Sequence, residues 1–456
     1  MVTPGHTAGH SEPGERPDPG AGVQPPGETN YTGGRTMSVR GCIAAIVLSS
    51  SFGAWAPARA DAVTDWNAVA LRCVQVPVAP ATAPNRGGPP GLLDIALIQA
   101  AVHDAVQAIQ GRFESYHYDD PARRGSGSAA AAAAAATYDL LRQLYGADDP
   151  CLVGVPDPAV TYAGDAGLEA GSAAAEALWP LYRPSFATPF DPFLGGSGPG
   201  EWQPTPPTFA PGANAYMGQT APFVLDRPSQ FRPQPPPPLS SVVYFRDYEE
   251  VRRFGGKTDS ERSIDQTELA NFWSVNFITQ WFATLRSIAD AHVADPGDKA
   301  RLLALAAFAA ADSQITVYES KYHFNFWRPV TAIRAGDADG NARTAGDPLW
   351  EPLVVTPPYQ DYSSGANCLA GAITTVLQLY FGTDEFEYQV FTTSALATIN
   401  PRNYTSFSQV QREMVDVRVW QGIHFRFADE IGMRQGSRVG HWTFHKALRP
   451  VRGRRN

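Results

Sequence analysis

The sequence predicts an all-α protein, with two antiparallel helical bundles and a proline-rich irregular arm between them. Three observations predict this class. Apolar residues recur at spacings of three and four in several long segments, alternating strand patterns are scarce, and prolines concentrate in one central stretch. With 456 residues, 43% hydrophobic and only 18% charged, the chain has enough apolar material for a large packed core.

The net charge argues against one class of binding partner, the nucleic acids. Lys and Arg number 36 against 45 Asp and Glu, which gives a net charge of −9. A protein that coats nucleic acid needs a basic surface, so no nucleic-acid partner is expected. Any anion that this chain binds must therefore be held by a local cluster of cations.

The N-terminal 60 residues are predicted to precede the folded protein. Residues 1–36 contain almost no large aliphatic side chains and are predicted to be disordered or not translated. Residues 37–60 have the pattern of a signal peptide, with Arg40, an apolar run and a small-x-small cleavage site. A secreted or periplasmic protein is expected. No later segment has about 18 uninterrupted apolar residues, so no membrane span is expected.

Residues 61–183 are predicted to form the N-terminal helical part. Apolar residues at three and four predict a helix over 92–109, which ends at Gly111. Ser128 has the position of an N-cap before a run of eight alanines, and this second helix is expected to stop at Gly146.

The cysteines leave two alternatives open. Cys73, Cys151 and Cys368 follow the predicted signal, and their spacing matches neither a zinc site nor a disulfide framework. Either Cys73 and Cys151 form a disulfide after export, or all three remain thiols.

Residues 184–240 are predicted to form the irregular arm. Fifteen prolines lie between positions 184 and 238, and this density excludes a helix or an interior strand. Embedded aromatic residues favour an ordered arm laid over the helices instead of a solvated linker. These residues are Phe190, Phe193, Trp202, Phe209, Tyr216 and Phe223.

Residues 241–450 are predicted to form the C-terminal helical part. Ser263 and Gln266 have the spacing of a capping box. The apolar stripe that follows predicts one helix, and consists of Leu269, Trp273, Phe277, Trp281, Leu285 and Ile288. Further helices are expected from residue 298 towards Lys321 and over 367–380, before Gly382.

Candidate chemistry concentrates after residue 310. Lys321 and Arg328 are seven residues apart, which on a continuing helix places both on one face. Two cations on one face suit an oxyanion, although such a pair is more often solvated. Their aromatic neighbours favour a functional role, because a charge in apolar surroundings needs a partner. Pro329 is expected to end the helix and free the guanidinium.

Two further motifs supply groups for an anion. Ser364 and Gly365 precede a predicted helix, where a hydroxyl and unpaired amides favour negative charge, although an ordinary N-cap has the same pattern. Gly422 permits a break between helices, so that Arg418 ends one helix and His424 opens the next. A lone histidine is usually structural, but this order of motifs is hard to obtain by chance.

The motifs together resemble the vanadium-dependent haloperoxidase and type 2 phosphatidic acid phosphatase superfamily. The stretches FWRPVTAIR, GIHFRF and AAVHDAVQAI resemble its soluble, exported bacterial branch, over most of the chain after the signal. The resemblance implies an all-α fold with two four-helix bundles and a pocket that holds phosphate or vanadate.

The resemblance also implies a role for each site residue. Lys321, Arg328 and Arg418 would neutralise the equatorial oxygens, Ser364 and the Gly365 amide would hydrogen-bond them, and His424 would supply the apical nitrogen. In a haloperoxidase this nitrogen ligates vanadium, and hydrogen peroxide and halide are the substrates. In a secreted acid phosphatase it attacks a phosphate monoester and forms a phosphohistidine. A phosphate- or vanadate-binding protein without turnover is a third alternative.

Three positions depart from the family pattern. Ala366 stands where the family usually has the histidine that acts as general acid and base, so a slow reaction is expected. Val417 replaces a frequent serine. Ala428 replaces a frequent aspartate, which leaves open whether Asp429 orients the imidazole. The neighbouring Asn367 cannot shuttle protons.

The sequence gives weaker evidence of a functional role for several other histidines. His323 follows Lys321 by two residues, so it should point away from the lysine on a helix. His441 and His445 have the spacing of a helical metal pair, but no third ligand is evident. His103, next to Asp104, is expected to be a surface or packing residue.

Overall fold

The computed structural model describes residues 61–75, 88–181 and 193–451. The predicted leader over residues 1–60 lies outside these ranges. Thirteen α-helices occur in the described residues, together with six short 3-10 turns and two strands. The helices are α1 (Ala62–Gln75), α2 (Gly91–Gln110), α3 (Ala129–Tyr145), α4 (Pro158–Thr161), α5 (Gly167–Leu178), α6 (Val242–Phe254), α7 (Ile264–Phe272), α8 (Phe277–His292), α9 (Pro296–Phe324), α10 (Pro329–Arg334), α11 (Gly365–Phe381), α12 (Phe407–Trp420) and α13 (Arg426–Lys446). The strands are β1 (Glu385–Val390) and β2 (Arg402–Ser406), which pair antiparallel. The predicted all-α class is confirmed.

The first group of packed helices contains α1, α2, α3 and α5. Gly111 ends α2 in the left-handed conformation, as predicted. The Ser128 side chain accepts a hydrogen bond from the Ala131 amide and begins α3. The alanine run allows close packing, because a Cβ at Gly171 of α5 would collide with the Ala132 carbonyl.

Helix α9 is the central element of the described fold. It packs against α2 of the first group and against α11 and α13 of a second group, which also includes α12. Nearly all its residues are buried. Both α2 and α9 are long and apolar enough to cross a membrane, and the apolar windows of both are wholly buried inside the fold. The shared helix joins the two groups through one continuous core.

Helices α11 and α13 approach each other closely along a stripe of glycines. An added Cβ would collide with the carbonyl of Ser364 at Gly432, of Cys368 at Gly436 and of Ala372 at Gly440. Their spacing of four residues places these glycines on one face of α13. The stripe therefore holds the start of α11 directly against α13.

The sequence predicts one long helix after the capping box, but the structure has two helices there. Both hydrogen bonds of the Ser263–Gln266 box form, but α7 ends at Phe272, and a new helix starts after Asn276. The Asn276 side chain accepts from the Ile278 amide at 2.9 Å. A polar side chain that bonds locally to the backbone competes with a continuous helix, and here it starts a second one.

The described part of the proline-rich arm is ordered against the helices. Trp202 is fully buried, and its amide donates to the Asn325 carbonyl at 2.8 Å. The Asp312 carboxylate of α9 accepts backbone amides from Phe223, Val224 and Leu225 at 2.7 to 2.9 Å. These bonds support the predicted arm. The predicted boundaries of the three parts stay predictions.

The structure contains the Cys73–Cys151 disulfide. It ties α1 to the 3-10 turn over Pro150–Leu152. Cys368 is a buried free thiol. Of the two alternatives for the cysteines, the structure has the bridged one.

His103 and Asp104 are buried in the interior of α2, not exposed at its surface. Nε2 of His103 lies 3.0 Å from the Glu114 carbonyl, to which it donates as a neutral ring. Burial lowers the pKa of His103 from 6.5 to about 4. The Asp104 carboxylate accepts the amides of Tyr116, His117 and Tyr118. Both side chains hold the loop that follows α2.

The buried imidazole predicts a loss of stability in acid. Because the folded pKa of His103 lies below its unfolded value, protonation favours unfolding as the pH falls from 6.5 to about 4. This difference corresponds to about 3 kcal/mol at most. His103→Gln keeps a donor for the Glu114 carbonyl but does not titrate. Urea unfolding at several pH values should show a smaller acid-dependent loss in His103→Gln, and equal losses in both proteins would contradict this.

Candidate active site

Lys321 and Arg328 meet at one site although they do not share a helical face. Helix α9 ends at Phe324, and Asn325 adopts a left-handed conformation with φ 49°. Arg328 has an extended backbone immediately before α10, which Pro329 begins. The prediction of one continuous face is therefore wrong. Proline disfavours helix in the residue before it, and Asn tolerates the left-handed cap.

Lys321 is fully buried in the last turn of α9. Its Nζ donates to the carbonyl of Gln360 at 2.7 Å and to that of Asp361 at 3.0 Å. It also lies 5.3 Å from the ring centroid of Tyr359. The ammonium therefore fixes the loop that leads into α11.

Arg328 is fully buried and joins two loops. Its Nε donates to the Tyr359 carbonyl and its Nη1 to the Ile423 carbonyl, each at 2.7 Å. Nη1 also lies 3.0 Å from Nε2 of His424. Nη2 is buried and has no hydrogen-bond partner among the described residues.

Arg418 lies in the last turn of α12. Its Nη1 donates to Oε1 of Gln421 at 2.6 Å, and its guanidinium lies 5.0 Å from the ring centroid of Phe277. Nε is buried without a hydrogen-bond partner in the described part of the chain. Unused N–H groups on both arginines are what an oxyanion would satisfy.

His424 lies in the loop between α12 and α13, because α13 begins at Arg426 and not at His424 as predicted. Gly422 turns this loop with φ 77°, and a Cβ there would collide with the Gly255 carbonyl. The imidazole is buried, and its Nδ1 lies 2.6 Å from Oδ1 of Asp361. Neither carboxylate oxygen of Asp361 has a hydrogen-bond partner among the described residues, so this close contact is not an aligned hydrogen bond. Nε2 of the same ring lies 3.0 Å from Nη1 of Arg328.

Asp361 is the site residue that sequence reasoning missed. It is fully buried and precedes Ser364 by three residues, in the loop whose carbonyls bind Lys321 and Arg328. The only sequence signal is a carboxylate before the Ser-Gly helix start. Asp429, for which the sequence leaves this role open, accepts from Nδ2 of Asn367 at 2.8 Å.

Ser364 and Gly365 begin α11, as predicted. The Ser364 side chain makes no capping hydrogen bond to the helix, and its hydroxyl instead accepts from Asn367 at 3.3 Å. The ordinary N-cap alternative is therefore not what the structure contains. The amides of the first helical turn have no intrahelical carbonyl, so they remain available to an anion.

Burial and like charge both act on the cationic groups. Burial, and next the charge of Arg328, hold the pKa of Lys321 well below its usual value. Burial lowers the pKa of Arg418 to about 10, and burial followed by the three cations keeps the pKa of His424 well below 6.5. Burial raises the pKa of Asp361 to about 7, which Arg328 and Lys321 oppose. A bound anion would relieve the repulsion among the cations.

A cavity of about 260 Å³ opens onto the site. Lys321, Gly365, Arg418 and His424 line it. Arg328 is not a lining residue, and it reaches the site through Nη1, 3.0 Å from Nε2 of His424. Ala366, where the family usually has histidine, is also part of the wall. The structure thus brings the three predicted segments to one place.

The other histidines lie elsewhere. His323 is exposed at the end of α9, next to Arg232 of the arm. The rings of His441 and His445 are 4.4 Å apart on α13. No group of three or more His, Cys, Asp or Glu side chains suited to a metal occurs within the described ranges.

Comparison with known families defines the class of the C-terminal part. Residues 301–453 match the family model of the VCPO second helical-bundle domain. This segment contains most of α9, all of α10 to α13, and every predicted site residue. The predicted resemblance to vanadium-dependent haloperoxidases is confirmed.

One characterised relative belongs to the same class of enzyme. The chain is 24% identical to a vanadium chloroperoxidase of Curvularia inaequalis over 200 residues, which cover 36% of this chain and 32% of the relative. The match thus spans about a third of that relative's length.

Solved structures share the fold. A bacterial vanadium-dependent iodoperoxidase has a TM-score of 0.71 at 23% identity, over 86% of this chain and 97% of that chain. A holo-type bacterial vanadium-dependent chloroperoxidase has a TM-score of 0.62 at 16% identity, over 81% of this chain and 94% of that chain.

The contact between Asp361 and His424 predicts a loss of anion binding when the carboxylate is changed. Asp361→Asn should weaken vanadate binding by about 10- to 100-fold, because the carboxylate in contact with the imidazole loses its charge. Isothermal titration calorimetry measures the affinity, and thermal melting checks the fold. Asp429→Asn, which changes a buried carboxylate that is hydrogen-bonded to Asn367, should reduce the vanadate affinity less. Vanadate affinity in Asp361→Asn equal to that of the unmodified protein would contradict this role.

Proposed function

We propose that this protein is a vanadium-dependent haloperoxidase-like enzyme that oxidises halide with hydrogen peroxide. One observation carries the proposal. Lys321, Arg418 and His424 line one cavity, Arg328 contacts the His424 imidazole beside it, and both arginines have buried N–H groups without hydrogen-bond partners among the described residues. This donor set fits a tetrahedral oxyanion such as vanadate or phosphate.

Each residue has a distinct role in the proposal. The three cations neutralise the anion, and the first amides of α11, beginning at Gly365, donate to it. Nε2 of His424 would bind the central atom of the anion, and the Asp361 carboxylate, 2.6 Å from Nδ1, would orient the ring. When bound, vanadate supplies the Lewis-acid chemistry that activates hydrogen peroxide towards a halide.

The proposed enzyme is slow because proton transfer at the site is weakened. Ala366 supplies no acid or base, and neither a carboxylate nor a second imidazole lines the cavity in the described residues. Burial holds the pKa of Tyr318, another wall residue, well above 10. General acid and base catalysis contributes typically about 10²- to 10⁴-fold.

Export is part of the proposal. The signal-like pattern over residues 37–60 and the Cys73–Cys151 disulfide both support an oxidising compartment outside the cytoplasm.

Vanadate-dependent bromination tests the function directly. The purified protein with vanadate, hydrogen peroxide and bromide should brominate phenol red. His424→Ala should abolish this activity because it removes the apical nitrogen, whereas His323→Ala, an exposed histidine away from the cavity, should retain it.

Two outcomes would contradict the haloperoxidase proposal. Hydrolysis of p-nitrophenyl phosphate without vanadate, with no bromination, would favour the phosphatase alternative. Vanadate binding with neither activity would favour an anion-binding protein.

Restoring the missing imidazole should accelerate bromination. Ala366→His places an acid and base at the cavity wall, and we expect an increase of about tenfold or more in kcat. Ala366→Gln controls for side-chain size without proton transfer. Equal rates for both variants would mean that protons reach the site by another route.

A further inference from the structure

The cavity has more room than a bound oxyanion needs. Its volume is about 260 Å³, and a tetrahedral oxyanion has only five heavy atoms to place in it. Lys321 and Arg418 are the cationic side chains that line it in the described residues. The remaining volume is therefore available to a second group beside the anion.

The rest of the described wall is mainly apolar. It is formed by the start of α2, the α7–α8 turn and the first turns of α11, and includes Leu92, Val275, Phe277, Ile278, Ala366 and Leu369. The cavity is lined by no carboxylate in the described residues. Of its amide side chains, Gln314 already donates to the Gly365 carbonyl at 3.0 Å. An uncharged, apolar group fits this wall best.

Two aromatic side chains of the wall lie next to the cations. Phe277 has the Arg418 guanidinium 5.0 Å from its centroid, and Tyr359 has that of Arg328 at 5.0 Å. Both rings also line the cavity and are only partly buried. Aromatic ligands gain from edge or offset contacts with such rings, beyond the area they bury. A planar ring is therefore favoured over an aliphatic group.

We propose that this cavity binds a small uncharged aromatic ring, of about phenol to indole size, beside the oxyanion. The inference rests on the proposed function, because it assigns the organic substrate of the same site. If the ring is a separate molecule, it is the acceptor of the halogen. If it is joined to the anion, it belongs to an aromatic phosphate ester. The chemistry that recognises the ring is the same in both cases.

Two phosphonates separate the ring from the anion site. Phenylphosphonate and methylphosphonate carry the same anionic group, and neither is hydrolysed at its carbon–phosphorus bond by phosphoryl transfer. Calorimetry on the full chain should show about tenfold or tighter binding of phenylphosphonate, because only its ring contacts the apolar wall. In Ala366→Phe, the added ring should occupy the cavity and bring the ratio of the two affinities close to one.

Each outcome bears on one of the two proposals. Equal affinity of the unmodified protein for both phosphonates overturns the aromatic site while the anion site stands, and this comparison needs no variant. Failure of both phosphonates and of inorganic phosphate to bind overturns the anion site itself. Binding of free phenol to the phosphate-saturated protein supports a separate ring, and binding of phenylphosphonate alone supports an ester.

Discussion

Positive charge buried inside an apolar helical fold is the constraint on which this site depends. Lys321 and Arg328 are fully buried, and Arg418 is only 6% exposed. A buried cation is costly unless it is paired, and the carboxylates close to this cluster are Asp361 and Asp429. Main-chain carbonyls of the 359–361 loop and Ile423 supply much of the remaining stabilisation. An anion would complete it.

The fold holds these charges through contacts that are distant in sequence. The glycine stripe of α13 presses the Ser364 end of α11 into place, and α9 carries Lys321 through the centre of the core. The arm braces the segment before Arg328, since the Trp327 amide donates to the Gly200 carbonyl at 3.0 Å. The Tyr362 hydroxyl also donates to the Gln234 carbonyl. The proline-rich arm thus supports the segments that carry Arg328 and Asp361.

Local features of the fold could be predicted from the sequence because they depend on neighbouring residues. The Ser128 cap, the Ser263–Gln266 box and the glycine ends at Gly111 and Gly382 all formed as predicted. The single helix predicted across Asn276 did not form. The apolar stripe did not reveal the break, because its helical spacing continues when the second helix keeps the same buried face.

The sequence could predict most residues of the candidate site, but not how they are arranged in space. Lys321 and Arg328 meet because two loops fold together, which no spacing rule encodes. The Asp361–His424 contact joins residues 63 positions apart, and only the tertiary structure brings that carboxylate to the imidazole. The carboxylate in contact with His424 therefore lies in a different segment from the one that the family pattern implies.

A crystal structure of the protein soaked with vanadate would test the proposed anion site. We expect one anomalous vanadium peak within bonding distance of Nε2 of His424, with its oxygens in hydrogen-bond reach of Lys321, Arg328 and Arg418. Vanadium bound only elsewhere, or a site in which His424 faces away from the anion, would contradict the proposed site.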